Sequence, residues 1–136
     1  KHPAFNYKFD AIVYCVTSAL GFAAIENVLY CLDGDMGTAV TRALLSVPSH
    51  AIDGMIMGYF FGVAKEAELA GDTKRRKRYL KLSVFMPMIE HGIYDSALSL
   101  GADWIFVFFF LFVIVVDVWA YKFVKKQSGQ DRELSA

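Results

Sequence analysis

Five ionisable residues, Glu26, His50, Asp53, His91 and Asp95, stand inside stretches of otherwise apolar sequence. If those stretches cross a bilayer, each such group costs about 2.5–3.5 kcal/mol at the helix centre, so the groups must face one another, a wet cavity or an ion. Two histidines and a carboxylate are a donor set for catalytic zinc, with water in the fourth position. Such a metal lowers the pKa of its bound water to about 7 and supplies a nucleophile where hydroxide is scarce. Glu26, His50 and His91 are therefore the candidate catalytic and metal-binding residues. Asp53 and Asp95 follow the histidines by three and four residues, close enough on a helix to orient the imidazoles from behind. Asn27 belongs to the same supporting set and reads as a bridge between helices. A lone histidine on an apolar face is more often a hydrogen-bonded core residue. The pair with a glutamate at matched depth is what points to ligation.

The elements that must position these groups follow from hydropathy. Of the 136 residues, 56% are hydrophobic, and they fall in long blocks rather than at scattered core positions. Asp10–Leu32, Val40–Ala64, Leu82–Leu100 and Trp104–Val124 approach or exceed the roughly 20 residues that span hydrocarbon. The run Trp104–Val116 leaves no polar face for water. The expected fold is all-α, a polytopic membrane bundle of four transmembrane helices, with residues 1–126 as a partial transmembrane core and a loose polar tail over 127–136. At about 1.5 Å per residue, Glu26, His50 and His91 lie roughly 9, 15 and 13 Å below the outer ends of their segments, one common level. A second helix that started at Pro48 would bring His50 nearer the surface. Ser46, His50, Gly54, Gly58 and Gly62 recur every fourth residue, a ridge that admits a close neighbouring backbone. Segments one to three form the expected working core. The fourth has no small face and is the more lipid-exposed. Glu90, next to His91, is expected to point elsewhere, Asp117 to lie in the inner half away from the cluster, and Met55, Met57, Met86 and Met88 to serve packing.

Net charge is zero, which gives no field for a nucleic-acid partner. Lys74, Arg75, Arg76, Lys77, Arg78 and Lys81 crowd one link, Lys1 and Lys8 precede the first block, and Lys122, Lys125 and Lys126 follow the last. The loops Asp33–Thr38 and Gly101–Asp103 hold acids only. Positive-inside counting puts both covered termini in the cytoplasm of a multi-pass cell-membrane protein. Tyr7, Tyr30, Trp104, Trp119 and Tyr121 fall where interfacial anchors belong. Cys15 and Cys31 are roughly 24 Å apart along one helix and cannot pair. No nucleophile elbow, phosphate loop, dinucleotide fingerprint or calcium loop is present. The chain starts at Lys1 without a signal peptide, as expected of a fragment.

Asp10–Tyr30, ending in GFAAIENVLY, resembles the PrsW family of intramembrane proteases, whose corresponding motif is GFAxxEN. His50 with Gly58, eight residues on, and His91 with Asp95 match that family's two histidine motifs. The resemblance runs from about Phe9 to Leu98. It implies that Glu26, His50 and His91 are the catalytic or metal-binding residues. It further implies a membrane-anchored protein substrate cut near its outer side, such as an anti-sigma factor. The family's doubled glutamate on an earlier helix has no counterpart, since Glu66 and Glu68 lie on the inner link. The resemblance therefore implies that the general base is supplied from outside this piece. Ala11 and Cys15 stand where the family usually has glycine.

The expected function is peptide-bond hydrolysis inside the membrane. An ion- or proton-coupled transporter subunit could use the same groups as a relay, although no inverted repeat with interrupted helices is visible. A non-catalytic scaffold is the third alternative.

Overall fold

A computed structural model describes residues 5–99 and 103–134, with side chains described outside residues 98–106. Four helices follow in order: α1 (Asp10–Asp33), α2 (Met36–Leu69), α3 (Thr73–Ser99) and α4 (Asp103–Gly129). The starts of α2 and α3 are set by short acids that take up free backbone N–H groups, whereas α1 starts without a side-chain cap and its first residue ties down the preceding segment. Asp10 Oδ2 accepts from the backbone N–H groups of Asn6 and Tyr7 at 3.0 and 2.8 Å. Asp35 Oδ1 accepts from Thr38 N at 2.9 Å and Asp72 Oδ1 from Arg75 N at 2.9 Å. Gly71, with φ at +71°, makes the left-handed turn that ends α2.

Helix α2 is the hub. α1 and α3 pack on either side of it, α4 lies more lightly against α2 and α3, and the backbones of α1 and α3 do not approach each other. The glycine ridge lets α1 in. A Cβ on Gly54 would lie 2.7 Å from Val16 Cα, and one on Gly58 would lie 2.6 Å from the Ala11 carbonyl oxygen and closer still to Ile12 Cα. Backbone cannot yield as a flexible side chain does. Gly58→Ala is therefore expected to destabilise the protein by about 1–3 kcal/mol, outweighing about 1 kcal/mol of helix propensity. Gly21, with nothing within 4 Å of such a Cβ, is the control. Thermal melts in detergent check this: Gly58→Ala should melt early and Gly21→Ala should not. Equal melting of the two would remove the close approach.

Among the described residues two helical stretches, Asp10–Asp33 and Val107–Gly129, are long and apolar enough to cross a membrane, rather than the expected four. The reason is local. α2 and α3 carry the ionisable groups, and α3 starts at Thr73 instead of about Leu82. The basic run continues the helix because Asp72 caps it and Lys and Arg are good helix formers. α2 likewise starts at Met36 and passes through Pro48, so His50 lies within the helix rather than at its start. Large apolar side chains nonetheless face outward on α1 and α4, with Phe22 60%, Ile25 66% and Val115 66% exposed, as a lipid-facing surface requires. Of the second expected outer loop, Gly101–Asp103, Asp103 begins α4 and the other two residues lie outside the described residues, as do the anchor side chain of Trp104 and the N-terminal Lys1.

The C-terminal tail is tied down where looseness was expected. Leu134 N donates to the Asn6 carbonyl at 2.6 Å and Phe9 N to Asp131 Oδ1 at 2.9 Å. Glu66 sits between Lys8 Nζ at 2.9 Å and Arg132 Nη2 at 2.6 Å. Burial alone would raise the Glu66 carboxyl, but hydrogen bonds and charge from Arg132 and Lys8 hold it below its usual range. The result is a clasp joining the N-terminal segment, the end of α2 and the tail.

Candidate active site

The polar ridge of α2 faces the gap between α1 and α3. α1 brings Glu26 to one wall, α3 brings His91 and Asp95 to the other, and α2 supplies Arg42, Ser46 and His50 from the floor. Glu26 Oε2 lies 3.0 Å from His50 Nε2. His91 Nδ1 lies 2.9 Å from Asp53 Oδ2, and its other nitrogen is 3.5 Å from Asp95 Oδ2. The two imidazole centres are 5.1 Å apart. His50 is buried, with Phe22 edge-on to its ring, and His91 stacks near Tyr94. A cavity of about 410 Å³ opens here, lined by Glu26, Arg42, His50, His91 and Tyr94 among others.

One ligand atom each from His50, Asp53 and His91 lies within 4.8 Å of the others, close enough to share one ion. Two imidazoles with one carboxylate is the donor chemistry of a catalytic divalent-metal site. Asp53 Oδ1 is buried with no donor group against it among the described residues, and the Glu90 carboxyl adjoins it, so two acids stand on this side of the histidines. The residues present fit a metal. Glu26, expected as the carboxylate ligand, is outside this set and meets the His50 ring instead. Asp53, expected to orient a ring from behind, falls inside the set, brought there by the packing of α2 on α3.

Three further placements depart from the sequence expectations. Arg42, which escaped notice, donates from Nη2 to Glu26 Oε2 at 2.6 Å and to Ser46 Oγ at 3.1 Å, and from Nε to Asn27 Oδ1 at 2.8 Å. Its signal was legible: a charge in an apolar block, four residues before Ser46 on the histidine ridge. Glu90 does not point away, for its carboxyl meets that of Asp53. Asp117, expected apart from the cluster, shares a small cavity with Ser49 and Glu90. It gets there because α4 runs along α2 and α3, packing Phe109 and Val113 on Tyr94 and Val116 and Ala120 on the Ile52–Met55 cluster.

The family profile described as PrsW family intramembrane metalloprotease matches residues 1–121. The chain belongs to the PrsW family. It is 46% identical over 115 residues to a protein named Protease PrsW from Halalkalibacterium halodurans, covering 85% of this chain and 49% of the relative. Protease PrsW of Geobacillus kaustophilus is 40% identical over 131 residues, covering 96% of this chain and 56% of the relative. The Bacillus subtilis protein of the same name is 35% identical over 129 residues, covering 95% and 56%. The chain thus spans about half the length of these PrsW relatives. No solved structure matches it. Family membership and two apolar helices make it a membrane protein.

Proposed function

We propose that this chain forms part of the catalytic core of an intramembrane endopeptidase that hydrolyses a membrane-anchored protein near the outer side of the bilayer. The observation that carries the reading is the pair of imidazoles 5.1 Å apart, with Glu26 against one and Asp53 against the other. A transporter relay needs no such donor set. His50, His91 and Asp53 would hold a divalent metal, zinc by the nature of the donors. When bound, such a metal supplies a water that ionises near neutral pH. Glu26 stands beside His50 to take a proton from the attacking water and pass it to the leaving amine. Asp53 orients His91 through Nδ1, and Asp95 approaches the same ring from its own helix turn. Phe22, Tyr30 and Tyr94 wall the cleft and limit bulk water. An upstream glutamate pair, as the family resemblance implies, would complete the acid–base set.

In this reading all four helices cross the bilayer, with both covered termini and the clasp at Glu66 in the cytoplasm and the α1–α2 turn outside. An anti-sigma factor is a substrate of the right class, a single-span protein cut near its outer end. The test is metal content and cleavage of a single-span substrate by detergent-purified full-length protein. About one divalent ion per chain is expected in the wild type. His50→Ala and His91→Ala should each lose the ion and cut the cleavage rate by at least about 10³-fold. Metal-free wild type that cleaves at full rate, with neither substitution having an effect, ends the reading.

A further inference from the structure

We infer that Arg42 is the positioning residue of this site, holding the Glu26 carboxylate aimed at His50. The inference rests on the hydrolytic reading above. Glu26 Oε2 accepts from Arg42 Nη2 at 2.6 Å and lies 3.0 Å from His50 Nε2, so one oxygen is pinned between a fixed cation and a ring. Among the described residues the other oxygen, Oε1, has no side-chain partner and is left for water or substrate. The guanidinium is itself fixed on three sides. Asn27 takes its Nε, Ser46 shares its Nη2, and Tyr30 lies beneath its plane at 3.9 Å from ring centre to the guanidinium carbon. Arg42 is 17% and Glu26 27% exposed, so the pair is partly sheltered and its hydrogen bond is charge-assisted.

The geometry also explains why arginine and not lysine stands here. Glu26 and Asn27 are neighbours on α1, and only a rigid fork can bond both at once from α2 while stacking on Tyr30. The glycine contacts hold α1 against α2 at the inner end, and Gly34 turns the chain at the outer end. Between them Arg42 is the side chain that sets how far Glu26 stands from His50.

The test uses full-length wild type, Arg42→Ala, Arg42→Lys and Glu26→Gln in detergent, with metal content, melting temperature, kcat and KM read for each. Arg42→Ala should lower kcat by roughly 10²-fold, the scale of a misplaced catalytic group. Its KM and metal content should stay near wild type. Methylguanidinium at millimolar concentration should restore part of that loss in Arg42→Ala and none in Glu26→Gln. Arg42→Lys should fall between. Wild-type kcat in Arg42→Ala overturns the inference while leaving the hydrolytic reading intact. So does a loss that only tracks early melting or lost metal and does not respond to methylguanidinium, for Arg42 is then a structural cross-link. Absence of cleavage and of metal in the wild type would remove both together.

Discussion

Replacing Glu26 with Gln is expected to lower the cleavage rate of the full-length protein by about 10²–10⁴-fold, the range for loss of a general acid–base group. The substitution keeps the size of the side chain and an oxygen that can still accept from Arg42, at 2.6 Å in the native pairing. It removes the charge and the capacity to take a proton from water. Melting temperature should therefore change little while kcat collapses. Metal content should also survive, because Glu26 lies outside the set formed by His50, Asp53 and His91. This makes the experiment a test of role as well as of importance. Loss of the ion in Glu26→Gln would make Glu26 a ligand and displace Asp53 from that position. Full activity in Glu26→Gln would remove Glu26 from the chemistry.

The second large effect is an asymmetry between two aspartates that look equivalent in the sequence. Asp53→Asn should weaken metal retention or cleavage by about 10–100-fold, as loss of a ligand or of a ring-orienting acceptor does. Asp95→Asn should cost no more than a few-fold. The difference follows from placement. The Asp53 carboxylate is 13% exposed and 2.9 Å from His91 Nδ1, whereas that of Asp95 is 64% exposed and 3.5 Å from the other ring nitrogen. A short, enclosed contact holds its ring more firmly than a longer, open one. Titrating the purified variants with zinc and assaying cleavage in parallel decides the matter. Equal losses at both positions would mean that Asp95 is drawn into the site when the protein is working.

The sequence alone determined that the chain is helical, that its apolar blocks are separated by charged or glycine-bearing turns, and that Glu26, His50 and His91 stand at one depth. These are properties of a linear pattern, since hydropathy fixes length and a rise of about 1.5 Å per residue converts number into height. The ridge from Ser46 to Gly62 was equally legible, because a period of four residues needs no partner to be seen. Where the sequence ran out was direction around each helix axis. Glu90 was expected to turn away from the cluster and Asp117 to lie apart from it, yet α3 is rotated so that Glu90 meets Asp53, and α4 packs so that Asp117 shares a small cavity with Ser49 and Glu90. The exchange of Glu26 for Asp53 in the three-atom set has the same origin. Height along α1 brought Glu26 level with the histidines, but only the packing of α1 and α3 on opposite sides of α2 decided which carboxylate reached which ring. Arg42 marks the boundary most clearly. Its charge was visible in an apolar block, but its partners Glu26 and Asn27 come from another helix. The contact exists because glycines at 54 and 58 let two backbones approach as no larger residue would allow.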